Sequence, residues 1–269
     1  MTMVTVNDVN NYLNSIAPVE AKMDFDNVGF LVGRSGSCVS KILVSLDITH
    51  DVISEALNFG AELIVSHHPL FFSLNSVTDA DTTGNKVVRL LTGGVSAICM
   101  HTNLDAARGG TGDALAAAAG IAAEKGLTEL LSEDGILPDG TAFSYGRTGR
   151  LISSCPLDEY LEILKKTLNT TGLRYYDAGR DVFHVAVVGG SGGNMLHHAV
   201  KLGCDTFLTA DVKYDVFLEA KEIGINLIDG DHFCTENLVT GVISDKLRAA
   251  FPQVEIMTSN SHRQTVRFY

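Results

Sequence analysis

The sequence predicts an α/β protein of two similar lobes, with mostly parallel sheets whose strand-end loops face one another across a shared cleft. Two observations carry that expectation. From Lys41 the chain repeats strand, helix, strand, helix, strand to about residue 120, and such alternation implies a parallel sheet with right-handed crossovers. From Val182 the same rhythm returns, with little residue identity to the first half. The stretch between them has a different character. The expected segments are a first lobe over 1–123, a connecting segment or small insertion over 124–182, and a second lobe over 183–269, all within one integrated unit.

In order, Val6, Val9, Tyr12, Leu13 and Ile16 recur at helical spacing, with Thr5 or Asn7 as cap and Pro18 as stop. Asp24-Phe25-Asp26-Asn27-Val28-Gly29 reads as a loop of Asx turns. A strand at 41–47 precedes a helix at 50–59, which Gly60 ends. A strand at 61–66, a polar loop at 73–83, a helix at 85–91 and a strand at 95–100 follow. Residues 111–123 are Ala-rich and predicted helical. In the middle, a strand at 143–152, a helix at 157–168 and a strand at 172–176 are expected. The second lobe should hold strands at 183–188, 205–210 and 226–229, with helices through 201, at 213–223 and at 236–250. Two last strands are predicted, at 254–258 and 265–268.

Composition limits the function. With 269 residues and 45% apolar side chains, the chain can bury a sizeable core. Its formal charge is −12 and no dense Lys/Arg block occurs, so non-specific binding to nucleic acid is not expected. Cys38, Cys99, Cys155, Cys204 and Cys234 are odd in number, far apart and form no C-x-x-C pair. That excludes a disulfide framework and a thiolate zinc site, and a cytoplasmic location is expected. The N-terminus lacks the pattern of a signal peptide. No apolar run approaches the roughly 18–20 residues of a membrane span.

The candidate chemistry sits at strand ends. Ser66-His67-His68-Pro69-Leu70 follows the apolar run Leu63-Ile64-Val65, and extended neighbours point to opposite faces. Two imidazoles splayed there could offer one ring to each of two metal ions. His101-Thr102-Asn103-Leu104-Asp105 and Asp231-His232-Phe233-Cys234-Thr235-Glu236 also place His and carboxylate after an apolar run. His232 and Glu236 share a face if a helix begins near 232. Ligands of open parallel sheets bind beyond such strand ends. Mixed nitrogen and oxygen donors suit zinc, iron, manganese or cobalt without choosing among them. Each residue also has an ordinary structural role open to it: Asp105 as a helix cap, His232 as a satisfied loop histidine, Glu236 as a carboxylate favoured by a helix dipole. Gly189-Gly190-Ser191-Gly192-Gly193 lacks the Lys-Ser/Thr of a P-loop and reads as a tight strand-to-helix turn. Asp211 and Lys213, at another strand end, are second-tier candidates.

These segments resemble the Nif-three-like dinuclear-metal proteins, often labelled GTP cyclohydrolase I type 2 homologues. Further matches are Asp26-Asn27-Val28-Gly29, Gly146-Arg147-Thr148-Gly149-Arg150-Leu151, Gly189-Gly190-Ser191-Gly192 and Thr209-Ala210-Asp211-Val212-Lys213-Tyr214. The resemblance covers essentially the whole chain. It implies two divalent ions per chain, with His67, His68, Asp105, His232 and Glu236 as ligands and His101 as a further site residue, which in an enzyme would be catalytic by shuttling protons. It also implies a homohexamer. The family often has His where Asp215 stands and Gly where Ala210 stands. The function it suggests is a metal-dependent hydrolase acting on a small, nucleotide-like substrate; the alternative is a metal-binding interaction or regulatory protein without turnover.

Overall fold

A computed structural model of the chain describes residues 3–121 and 129–269. In chain order it runs α1 (Val6–Ile16), β1 (Gly29–Val32), β2 (Lys41–Ser45), α2 (His50–Phe59), β3 (Leu63–Ser66), α3 (Thr82–Thr92) and β4 (Ser96–Cys99). Then come α4 (Thr102–Ala106), α5 (Thr111–Ala118), β5 (Glu129–Leu130), β6 (Gly135–Ile136), β7 (Ala142–Phe143), β8 (Gly146–Cys155), α6 (Leu157–Thr167) and β9 (Arg174–Tyr176). The rest holds β10 (Val182–Val188), α7 (Leu196–Lys201), β11 (Thr206–Thr209), α8 (Tyr214–Ile223) and β12 (Asn226–Asp229). It closes with α9 (His232–Glu236), α10 (Leu238–Ala250) and β13 (Glu255–Thr258).

The α/β class is the expected one. The chain forms two compact units, Met1–Leu104 with Val239–Arg263 and Asp105–Leu238 with Gln264–Tyr269. These divide the chain differently from the segments drawn on the sequence. The first unit is built on a sheet of order β1-β4-β3-β2-β13. Its pairings are parallel except for β1 against β4. Leu43, Ile64 and Ala97 project from that sheet onto Val52, Ile53 and Ala56 of α2 and Val87 and Leu90 of α3. Thr5 caps α1 with a capping box, and Thr49 caps α2, so each helix starts where a hydroxyl takes an otherwise orphaned N–H. Tyr12 of α1 donates to Lys246 O of α10 at 3.1 Å and packs edge-on against Phe251.

The second unit has a sheet of order β5-β8-β10-β11-β12-β9. The parallel run β10-β11-β12 is flanked by antiparallel β8 and β9, which a linear rhythm does not reveal. Alternate residues face opposite ways: Val185 and Val187 join Leu115 and Leu164, whereas Ala186 and Val188 join Leu196 and Ala199. Both faces of this sheet are therefore buried, which explains the nearly unbroken apolar run of β10. β8, assigned by the sequence to a connecting segment, is the neighbour of β10.

Several local expectations change. The Ala-rich helix ends at Ala118, because Gly120 takes φ +73 and terminates it; positions 122 and 123 lie outside the described residues. No strand forms at 265–268. There the Val266 N–H turns back to Gln264 Oε1 at 2.8 Å instead of entering a ladder. The strand expected at 143–152 breaks at Ser144, whose carbonyl is taken by Arg147. The helix expected at 236–250 forms as α10 from Leu238, and the short α9 over His232–Glu236 precedes it.

Candidate metal centre

β3 and β4 deliver three histidines to one end of the first unit's sheet. The parallel hydrogen-bond ladder runs on past β3: His67 N–H donates to Ser45 O at 3.2 Å, His68 N–H to Leu46 O at 2.8 Å, and Met100 N–H to Ser66 O at 2.9 Å. The backbone under the pair is thereby as fixed as a strand. The two rings stay close to each other and to His101, with centroid separations of 5.1, 5.3 and 5.4 Å.

Each ring is oriented at Nδ1. His67, fully buried, donates to Met100 O at 2.8 Å. His68 Nδ1 meets Asp47 Oδ1 at 2.8 Å, and His101 Nδ1 meets Asp26 Oδ1 at 2.9 Å. An acceptor at Nδ1 selects the tautomer whose lone pair is on Nε2, which is how metal-ligating histidines are held. One ring nitrogen from each of the three lies within 4.8 Å of the others. Tetrahedral ligands about 2.0–2.1 Å from zinc stand about 3.3 Å apart, so small ring movements bring His67 and His68 to coordination distance, with His101 beside them. The donor set fits a divalent cation.

The carboxylates behind the rings are charged. Burial works to raise Asp26, but hydrogen bonds from His101 and Thr102 overcome it and hold the group at about 2. Burial also opposes ionisation of Asp47, and hydrogen bonds from His262 and His68 hold it well below the usual carboxylate range.

In the second unit, α9 carries His232 and Glu236 four residues apart, one helical turn, with Nε2 and Oε2 at 2.9 Å. His232 Nδ1 is again anchored, on Asp211 Oδ2 at 2.7 Å. The hydrogen bond to Glu236 is the main force raising His232 to about 9, against a smaller opposing effect of burial. Without a cation, a proton thus occupies the place between these two ligands. Asp211 and Asp231 both adopt left-handed backbone, φ +52 and +72. Asp231 also caps α9 by accepting the Cys234 N–H at 3.1 Å. Non-glycine residues in this region are uncommon and gather at functional sites.

Glycine opens the room for Glu236. Gly190 has φ +60, and a Cβ on it would stand 2.2 Å from Glu236 Oε1 and 3.2 Å from the His232 ring. Within the glycine run after β10, Gly190 is thus a clearance for a carboxylate. Asp105 begins the second unit, in α4, four positions after His101. The chain just after it is clamped by Arg147, fully buried, whose Nη2 donates to Ala106 O and Ala107 O at 3.1 and 2.9 Å. Asp113 pairs with Arg147 Nε at 3.0 Å.

The structure therefore brings His67, His68 and His101 together in one unit, and His232 with Glu236 in the other. Of the second-tier residues, Asp211 touches His232 and Lys213 is exposed at the start of α8, as is Asp215, where the family often has His. Sequence reasoning missed Asp47 and His262, and it gave no site role to Asp26, Arg147 and Gly190, which it noted only within motifs. Asp47 had a signal, an acid just beyond a strand adjoining the His pair; His262 had none.

The family profile Duf34/NIF3 (NGG1p interacting factor 3) matches residues 4–265. A Clostridium perfringens protein named GTP cyclohydrolase 1 type 2 homolog is 35% identical over 266 residues, covering 98% of this chain and 99% of that one. A Clostridium acetobutylicum protein of the same name is 33% identical, covering 94% and 93%. Among solved structures, a Bacillus cereus protein related to NIF3 superposes with TM-score 0.92 at 20% identity, over 100% of both chains. Reduced HcgD from Methanocaldococcus jannaschii gives 0.79 at 22% identity, over 97% and 99%. With a profile spanning nearly its whole length and relatives above 30% identity, the chain belongs to the DUF34/NIF3 family.

Proposed function

We propose that this chain is a metal-dependent hydrolase in which His67, His68, Asp105, His232 and Glu236 hold two divalent ions and His101 moves a proton. The observation that carries the reading is the shared anchoring of His67, His68, His101 and His232 at Nδ1. Four rings are thereby set with Nε2 as the donor, which a merely structural histidine does not require. Asp105 and Glu236 add anionic oxygens, and a cation replaces the proton that Glu236 now holds on His232. Zinc, iron, manganese and cobalt all accept this donor set.

When bound, two such ions supply a water acidified toward neutral pH and Lewis acidity at the bond under attack. His101, kept in one tautomer by Asp26, takes a proton at Nε2 and returns it to the leaving group. The substrate is a small molecule, and the relatives' name makes GTP the first compound to test. The deciding experiment incubates metal-loaded protein with GTP and a panel of nucleotides and small esters, beside chelated protein and His101→Ala. Turnover should require metal, and His101→Ala should lose roughly 10²–10⁴ in rate with its metals retained. Turnover surviving chelation would sink the mechanism. Two bound ions with no turnover of any compound would favour a protein whose metals only brace an interaction surface.

A further inference from the structure

We propose that His262 is a positioning residue of the metal centre: through Asp47 it fixes the orientation of the His68 imidazole, and so ties metal retention to the seating of the turn at residues 259–262. This rests on the metal reading of His68 given above. Asp47 lies two residues past β2 and uses both of its oxygens on histidines. Oδ1 accepts from His68 Nδ1 at 2.8 Å, and Oδ2 accepts from His262 Nε2 at 2.8 Å. A carboxylate gripped at both oxygens cannot turn about its last torsion without breaking a hydrogen bond. Left with one partner, that broad, two-fold torsion is soft.

The outer histidine is itself built in. β13 runs parallel to β2 with Thr258 opposite Val44, and the Ser259 N–H continues the ladder to Val44 O at 2.7 Å. The sheet therefore delivers the turn to the end where Asp47 stands. Glu55 of α2 then staples it, accepting from Asn260 N–H at 2.9 Å, from Ser261 N–H at 3.2 Å and from the Ser259 hydroxyl. Ser259 Oγ accepts the His262 N–H at 3.2 Å, and the His262 side chain is 11% exposed. A surface histidine would need none of these contacts. Asp47 is 40% exposed, so water can replace His262 on Oδ2, and the effect of losing it lies at the low end of what outer-shell changes produce.

The test uses cobalt(II) as probe on the full chain, comparing wild type, His262→Ala, His262→Gln, Glu55→Ala and Asp47→Ala. The readouts are cobalt stoichiometry, the visible ligand-field spectrum, the rate of release to a chelator, and melting of the metal-free forms. Release from His262→Ala is expected to quicken about 10-fold, and from Asp47→Ala by more, toward about 100-fold. His262→Gln, whose amide N–H reaches where Nε2 stood, should restore wild-type release and spectrum. Glu55→Ala, which frees the turn and keeps His262, should also quicken release. Wild-type release and spectrum in His262→Ala, or in Glu55→Ala should His262→Ala not fold, would overturn the proposal. So would a His262→Gln protein that melts like wild type yet releases cobalt like His262→Ala. Wild-type protein that takes up no cobalt would overturn the metal centre itself, a distinct outcome.

Discussion

A neutral imidazole can carry its proton on either nitrogen, and the acceptor it meets decides which. For His101 that acceptor is Asp26, which also takes the Thr102 N–H at 3.0 Å and the Thr102 hydroxyl. These bonds hold Asp26 at about 2 rather than 3.8. As pH falls, the unfolded chain takes up a proton at this position before the folded one. The stability that Asp26 contributes is therefore complete above about pH 4 and lost as pH falls toward 2. The lowering corresponds to roughly 2 kcal/mol. In urea unfolding at about pH 5 and again near pH 2, the advantage of wild type over Asp26→Asn should shrink by about that amount. An advantage that stays constant would show that the carboxylate's charge does not matter. Locally, Asp26 reads as part of an ordinary polar loop, because its partner lies 75 positions away. His262 and Asp47 are 215 apart, and no local pattern marks such a pairing.

Elements place these residues, and here more was legible. Helices α1, α2, α6 and α8 follow from apolar spacing and caps, and strands β2, β3, β4, β10, β11 and β12 from apolar runs. Sheet order was hidden, because β8 meets β10 through antiparallel pairing that a βα rhythm does not announce. The sequence reads the run after β10 as a tight strand-to-helix turn, and the reason for glycine at 190 is visible only with Glu236 in place. Gly190→Ala puts a methyl 2.2 Å from Glu236 Oε1 on a backbone at φ +60. Gly193→Ala meets nothing nearer than 3.6 Å. Titration with zinc should show weakened binding in Gly190→Ala, by about the 10–100-fold typical of disturbed metal surroundings, and near-normal binding in Gly193→Ala. Equal behaviour of the two would mean that the run is not a clearance. Arg147 shows the reverse case, a motif residue whose role is purely internal. Its donors are spent on Asp113 and on carbonyls beside Asp105 and in the β7–β8 turn.

For the whole molecule, charge is the strongest constraint. A homohexamer, which we propose from the family, would carry about −72 from six chains at −12 each, and two divalent ions per chain offset only about a third of it. Binding to duplex DNA requires clustered cations that release condensed counterions. Light scattering should therefore report six chains, and duplex DNA should not be retarded at physiological salt. A monomer would contradict the first expectation, and salt-sensitive DNA binding the second. No described helix is long and apolar enough to cross a membrane. We propose that His67, His68, Asp105, His232 and Glu236 hold two cations per chain, and elemental analysis of freshly purified protein tests this most directly. Wild type should contain two divalent ions per chain, with His68→Ala and Glu236→Ala each depleted while still folded. Metal-free wild type of normal stability, or unchanged metal content in both variants, would contradict it.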